Sequence, residues 1–435
     1  MKRVSVIALF VIMVCLSVFP ASAVDYMFDA ETVSKSVYLE SLSAKTVVYE
    51  KDADRRSYPA STTKIMTYII TAENVSDFDQ TAVTIRQDAI EGLDPESTVM
   101  GLSSHIGEQV SVRDLLYGLM LPSGNDAALV LADYVGGSIP EFVSKMNAKA
   151  AELGCTNTHF VNPHGLFDSE HYTTARDMAQ IAKYAMTLPG FMEICNTVYY
   201  TPDGFDTLHN TNYMLDEYAE DGAYYYPYTR GIKTGYLDEA GKCLVTSSDK
   251  EGDQYICVCL GADYSFSENI NYAMKDTAKL YDWAYENLGV QTIYSPSDSL
   301  ASVDVKYVRE GKTLSAVPEK EITAFLPKQY DKNRLDTRIS CPDQVEAPVK
   351  KGDVLGTVSV RYEDLELGTV NLVATEDVER NVSHLRAFVQ EHTKLTVISA
   401  VSLLLLIIFL IVLIRIKSVR KRRGKRPSNG RRYRD

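Results

Sequence analysis

Three short strings in this chain carry residues that could do chemistry together. Ser61-Thr62-Thr63-Lys64 sets a hydroxyl and an amine three residues apart. Ser123-Gly124-Asn125 adds a second hydroxyl and an amide, and Lys233-Thr234-Gly235 adds a second cation. A serine needs a base to become a nucleophile, and a lysine can be that base if it is kept neutral. On a helix, residues i and i+3 share a face, so Ser61 and Lys64 would lie side by side. A helix start also offers free backbone N–H groups where negative charge would develop. Burial and the nearby charge of Lys233 would both press the pKa of Lys64 down. The set suits acyl transfer without a Ser-His-Asp triad.

Each string alone is a weak signal. Ser247-Ser248-Asp249-Lys250 is also S-x-x-K, and Ser267-Glu268-Asn269 is also S-x-N. The first reads as a surface coincidence at a hairpin turn, the second as one just ahead of a helix. What separates the working copies is order and context. The first S-x-x-K opens a helical run from Thr62 to Ile70, and K-T-G, which occurs once, precedes an apolar strand.

The elements that must position these strings follow from periodicity. Val37 to Glu50 reads as a hairpin. Glu141 to Leu153 and Ala175 to Leu188 carry apolar residues at helical spacing and stop at Gly154 and Pro189. Cys243 to Ser248 and Tyr255 to Leu260 are strands around a turn, and a helix covers about Ile270 to Leu288. Strands first, helices in the middle and strands last predict an α/β (α+β) domain: an antiparallel sheet flanked by helices, with a helical subdomain. After a linker at Tyr294 to Ser299, short alternating strands from Val303 to about Glu379 predict a separate β-rich domain.

The ends of the chain differ in kind. Lys2 and Arg3, the apolar run Val4 to Phe19 and Ala21-Ser22-Ala23 read as a secretory signal over residues 1–23. Leu395 to Ile414 is an uncharged run of 20 residues, about 30 Å as a helix and enough to cross a bilayer. The tail 415–435 holds 11 basic residues and one acid. This asymmetry predicts a body outside the cell membrane and a tail inside. The tail's partner is then an anionic lipid surface. The expected layout is a catalytic domain over 24–293, a β-rich domain over 300–380, a stalk over 381–394, a single-pass span over 395–414 and the basic tail.

Charge excludes one class of partner. The whole chain carries −13, but residues 24–414 hold 32 basic against 57 acidic side chains, a net of −25. Such a body is unsuited to nucleic acid. Six cysteines remain after the signal, with spacings that form no disulfide framework, and they read as core thiols. His159, His164 and His171 share a loop but lack a metal-binding string, so no metal and no cofactor are expected. Asp126 and Asp177 read as scaffold carboxylates. Tyr224 to Tyr228 fit either a substrate groove or packing.

Beyond the three strings, the chain resembles the D-alanyl-D-alanine carboxypeptidases among the low-molecular-mass penicillin-binding proteins. Pro59-Ala60-Ser61-Thr62-Thr63-Lys64-Ile65-Met66-Thr67, Ser123 to Ala128, Asn162-Pro163-His164-Gly165-Leu166, Thr173 to Asp177 and Gly231 to Tyr236 carry the likeness, which covers roughly residues 35 to 290. The resemblance implies that Ser61 attacks the D-Ala-D-Ala carbonyl, Lys64 takes its proton and Ser123 passes that proton to the leaving D-alanine. It implies that Asn125 orients the peptide and Lys64. Lys233 and Thr234 would receive the terminal carboxylate and support Ser123. The K-T-G strand, with Gly235 and Tyr236, would line the substrate, and the Ser61 and Tyr236 backbone N–H groups would form the oxyanion hole. The implied ligands are peptidoglycan stem peptides ending in D-Ala-D-Ala and β-lactam antibiotics. Many relatives carry an arginine beyond the strand after K-T-G, but Ala262 to Ala273 contains no arginine or lysine. A second partner for the substrate carboxylate is therefore open. Two other readings compete: a serine β-lactamase, and a non-catalytic wall-binding or sensor protein of the same fold. Against the first, Ser-Gly-Asn replaces Ser-Asp-Asn, and residues 140 to 200 hold no Glu-x-x-x-Asn string.

Overall fold

A computed structural model of the chain describes residues 26, 28, 31–94, 97–265 and 270–423. The signal segment, the second S-x-N string at Ser267 and the end of the basic tail lie outside the described residues.

The N-terminal hairpin is β1 (Ser36–Ser41) and β2 (Thr46–Lys51). Late in the domain come β3 (Thr229–Leu237), β4 (Gly241–Lys250) and β5 (Asp253–Ala262). They join in one sheet of order β2-β1-β5-β4-β3, antiparallel throughout. The two ends of the domain meet where β1 pairs β5, with Val37 opposite Cys259 and Leu39 opposite Cys257. All six β1 residues are buried, as expected of a strand covered on both faces. Strand β3, which carries Lys233-Thr234-Gly235, lies at the sheet edge and leaves one side of its backbone unpaired within the sheet.

Between the hairpin and β3 lie the helices. They are α1 (Lys64–Asn74), α2 (Val112–Met120), α3 (Asn125–Gly136), α4 (Ile139–Glu152) and α5 (Ala175–Ala185). Helix α1 is buried from Lys64 through Thr71, so its whole circumference is core rather than one stripe. Phe142, Met146 and Ala150 form the buried face of α4, which ends before Gly154 in the left-handed region (φ +77°). Ser111, Ser138 and Thr174 cap α2, α4 and α5. Helix α6 (Tyr272–Asn287) follows the sheet.

Two local expectations need correction. Ser61 does not lie in the first turn of α1 but in a 3₁₀ turn, Ala60–Thr63, that leads into it. And Ser247-Ser248-Asp249-Lys250 is not a surface turn. Strand β4 runs on to Lys250 because Glu251 and Gly252 both take positive φ and make a two-residue hairpin. Ser247 and Ser248 are therefore buried in the sheet, bonded to the Arg230 carbonyl and the Tyr285 hydroxyl. All six cysteines of the body are unpaired thiols and five are buried.

Compact units divide near Gln291, with Phe325–Asn333 and Glu363–Leu365 grouped with the first. The second unit holds β6 (Ala301–Lys306), β7 (Lys312–Pro318), β8 (Leu335–Ser340), β9 (Gln344–Glu346), β10 (Val354–Tyr362) and, past its first residue, β11 (Leu365–Ala374). Their order is β8-β10-β11-β7-β6-β9. Alternate residues such as Val303 and Val305, Leu314 and Ala316, and Val358 and Val360 face one core. The stalk expected over 381–394 carries its own short helix, α7 (His384–Glu391), capped by Ser383. Helix α8 (Thr393–Arg423) follows and contains the whole apolar run.

Candidate active site

The site is built around the turn that precedes α1. Ala60 holds φ +49°, and the Thr62 hydroxyl donates back to the Pro59 carbonyl at 2.7 Å. Side chains at i and i+3 of a 3₁₀ turn eclipse one another. Here that brings Lys64 Nζ to 3.0 Å from Ser61 Oγ. The loop Asn162 to Leu166 closes over the turn. Gly165, at φ +92°, lies so near that a Cβ would meet the Ala60 carbonyl oxygen at 1.9 Å. Only glycine fits there.

Lys64 is fully buried and has two further partners, Asn125 Oδ1 at 2.7 Å and the His164 carbonyl at 2.8 Å. Both are acceptors only. Burial is the main force pushing the Lys64 pKa well below its ordinary value; the charge of Lys233 adds to it, and Asp126 opposes it. A neutral amine has two N–H bonds and one lone pair. With both N–H bonds spent on Asn125 and His164, the lone pair is left for the Ser61 hydroxyl.

Ser123 sits between α2 and α3 with φ +66°. Its hydroxyl is buried and has no hydrogen-bond partner among the described residues. The backbone around it is held from two sides. The Thr98 hydroxyl donates to the Ser123 carbonyl (2.8 Å) and the Asn125 N–H to the Thr98 carbonyl (2.8 Å). Asp126 in turn accepts backbone N–H bonds from Met100, Gly101 and Leu102 at 2.8 to 2.9 Å.

On the facing strand, Lys233 is buried, and burial lowers its pKa to about 7. Its ammonium donates to the Thr234 carbonyl at 3.2 Å; the expected bond to Ser123 is not made among the described residues. Thr234 Oγ1 lies 2.6 Å from Thr211 Oγ1. A Cβ on Gly235 would stand 3.1 Å from the Ser61 nitrogen, so the strand passes directly against the serine backbone. Ser61, Ser123, Asn125, Thr234, Gly235 and Tyr236 thus line one cavity of about 410 Å³. The sequence strings did not single out Ser97, Thr98, Thr211, Tyr213 and Lys242, which also line it. Apolar alternation marks this strand only from Cys243, which leaves Lys242 in the turn; the strand in fact starts at Gly241.

The remaining candidates are hydrogen-bonded within the protein and do not line this cavity. His171 accepts from the Val161 N–H and lies 2.8 Å from the Thr63 hydroxyl, and burial lowers its pKa to about 4. Asp177 accepts from Asn157 N and Thr158 Oγ1. The Tyr226 hydroxyl donates to Asp282, and the Tyr224 hydroxyl accepts from Asn271 N; neither ring lines the cavity that holds Ser61.

A serine–lysine pair at the mouth of a buried helix, set against the edge strand of an antiparallel sheet, defines a serine acyl-transfer site of the penicillin-binding-protein class. Residues 25–264 match the family model described as D-alanyl-D-alanine carboxypeptidase, and residues 290–380 match that of the penicillin-binding protein 5 C-terminal domain. The chain belongs to the D-alanyl-D-alanine carboxypeptidase family and is a serine-type peptidase. It is 31% identical over 353 residues to D-alanyl-D-alanine carboxypeptidase DacF of Bacillus subtilis, across 80% of this chain and 86% of that one. It is 35% identical over 259 residues to a D-alanyl-D-alanine carboxypeptidase of a Streptomyces species, across 55% and 83%. Among solved structures, penicillin-binding protein 5 from Haemophilus influenzae superposes with a TM-score of 0.57 at 26% identity, covering 81% of this chain and 99% of that one. These likenesses favour the carboxypeptidase over the β-lactamase and the non-catalytic readings.

Proposed function

We propose that this protein removes the terminal D-alanine from peptidoglycan stem peptides through an acyl-enzyme on Ser61. Ser61 Oγ attacks the carbonyl of the penultimate D-alanine while Lys64 takes its proton. The oxyanion lies between the backbone N–H groups of Ser61 and Tyr236. The C–N bond then breaks as Ser123 relays that proton from Lys64 to the departing amine, so D-alanine leaves with Lys64 neutral again and the Ser123 hydroxyl intact. Water, activated by Lys64, hydrolyses the ester and restores Ser61. Asn125 orients the peptide and Lys64, and Lys233 and Thr234 receive the terminal carboxylate. A β-lactam ring acylates the same hydroxyl. Helix α8 anchors the enzyme in the cell membrane with the body outside and the basic tail inside.

The observation that carries this reading is the polar surroundings of Lys64, which leave its lone pair for Ser61 Oγ. The test uses the full chain in detergent with a peptide ending in D-Ala-D-Ala. Free D-alanine should appear, and benzylpenicillin should leave a stable adduct on the tryptic peptide containing Ser61. Ser61→Ala should lower the rate at least about a thousandfold and take no adduct. D-alanine release at the wild-type rate from that variant sinks the mechanism. Rapid turnover of penicillin without an adduct replaces it with a β-lactamase.

A further inference from the structure

The carboxylate partner left open by the missing arginine has a candidate in the structure. Strand register sets Lys242 on β4 directly opposite Tyr236 on β3. Residues two apart on a strand share a face, and so do cross-strand partners. Thr234, Tyr236 and Lys242 therefore project to the same side, and all three line the active-site cavity. The Lys242 ammonium stands 4.0 Å from the centre of the Tyr236 ring and 4.3 Å from that of Tyr264. Two aromatic faces fix a flexible side chain and keep its charge in position.

This charge has no carboxylate partner among the described residues. The acids nearest in sequence are engaged elsewhere: Asp238 accepts from the Tyr236 hydroxyl, and Asp263 pairs with Lys35. Among the described residues the cavity lining contains no Asp or Glu, and Lys242 is its only Lys or Arg; Lys64 and Lys233 are buried and are not among the lining residues. Half-burial presses the Lys242 pKa down, and a bound anion would relieve that penalty. Arg230, the other cation near the K-T-G string, lines a different cavity with Tyr225 and Asn196.

We propose that Lys242 forms an anion subsite at the rim of the active-site cavity and takes a carboxylate of the bound peptide. The subsite rests on the carboxypeptidase reading of the same cavity. Two carboxylates could fill it: the C-terminal one, or one on the side chain preceding D-Ala-D-Ala.

Two peptide pairs separate these sources, tested on the full chain in detergent. One pair ends in D-Ala-D-Ala as the free acid or the amide; the other carries Glu or Gln before D-Ala-D-Ala. The wild type should prefer the charged member of at least one pair in kcat/KM. Lys242→Met should cut that preference roughly tenfold, mainly through KM, as expected for loss of one charge-assisted contact. Lys242→Arg should retain it. The pair whose preference collapses identifies the carboxylate. If Lys242→Met leaves both preferences intact, or lowers all four rates by one factor, Lys242 only packs against its tyrosines and the subsite is overturned. A wild type that cleaves none of the four peptides instead refutes the carboxypeptidase reading, and the subsite with it.

Discussion

Two buried lysines in one site cannot comfortably both carry charge, and the residue-scale chemistry depends on which one gives it up. Lys64 is driven down by burial and by the positive Lys233, whereas Lys233 is lowered by burial to about 7. Lys64 must be neutral to act as base, so kcat/KM rises as pH climbs through its depressed pKa. Lys233 must be charged to hold a carboxylate, so kcat/KM falls as pH climbs past about 7 in the free enzyme. The two titrations belong to the pair rather than to either lysine. A carboxylate held by Lys233 would stabilise its ammonium, so the falling limb should stand at higher pH in kcat than in kcat/KM. Lys233→Arg cannot lose its proton in this range and should keep the rising limb while losing the falling one, at a reduced rate. Initial rates of D-alanine release across about pH 5 to 10 check this; a falling limb that survives in Lys233→Arg assigns it to another group. This scale was largely legible in the sequence. The strings supply side chains whose chemistry is fixed by their type, and S-x-x-K dictates the Ser61–Lys64 contact in either helical form. Lys242 is not legible there, because its relation to Tyr236 is a matter of hairpin register, and apolar alternation begins only at Cys243, one residue past it.

At the scale of elements, the wall of the cavity hangs on one carboxylate. Asp126, in the first turn of α3, takes three backbone N–H groups from Met100, Gly101 and Leu102, and the same segment holds the Ser123 and Asn125 backbones through Thr98. Asp126→Ala leaves three donors in a buried setting without their charged acceptor, a loss of about 3 to 5 kcal/mol. Chemical denaturation should register that loss, and KM should rise as the wall loosens. Asp126→Asn keeps the size and one acceptor, so it should lose less stability. It also removes the negative charge that supports the Lys64 ammonium. The rising limb of the pH profile should therefore move to lower pH in Asp126→Asn; an unmoved limb means that Asp126 does not sense Lys64. Helices α4, α5 and α6 and the β1–β2 hairpin are readable from apolar spacing and stop signals, as at Gly154 and Pro189, whereas α2 and α3 carry no signal that the spacing picked out. The 3₁₀ entry to α1 was not, since Ala60 must take a left-handed backbone that no local preference of alanine encodes. It is enforced by Gly165 and the 162–166 loop, which are a hundred residues away in sequence. The same limit explains Ser247 and Ser248, where pairing with β5 decides burial and the local turn letters do not.

For the whole molecule, the decisive contrast is between an acidic body and a basic end joined by one apolar helix. Residues 24–414 carry −25, while 415–435 hold 11 basic residues. Helix α8 exposes its leucines and isoleucines along its length, with Leu403 at 59% and Ile414 at 66%, which is costly in water and favourable in hydrocarbon. It is the one described helix long and apolar enough to cross a membrane. An anchor of this kind sets where the enzyme works without touching its chemistry. Ending the chain before Thr393 should release the protein from the membrane pellet without detergent, with kcat/KM on short peptides within about twofold of the full chain. Orientation is read separately. With intact cells stripped of their wall, added protease should destroy the penicillin-labelled body and spare an epitope fused after Asp435, because basic residues resist translocation. An epitope lost while the body survives would invert the topology and leave the serine on the side where no peptidoglycan is found. A truncated chain that still pellets with membranes would shift the anchor from α8 to another surface, and the acidic body makes that surface hard to find against anionic lipid.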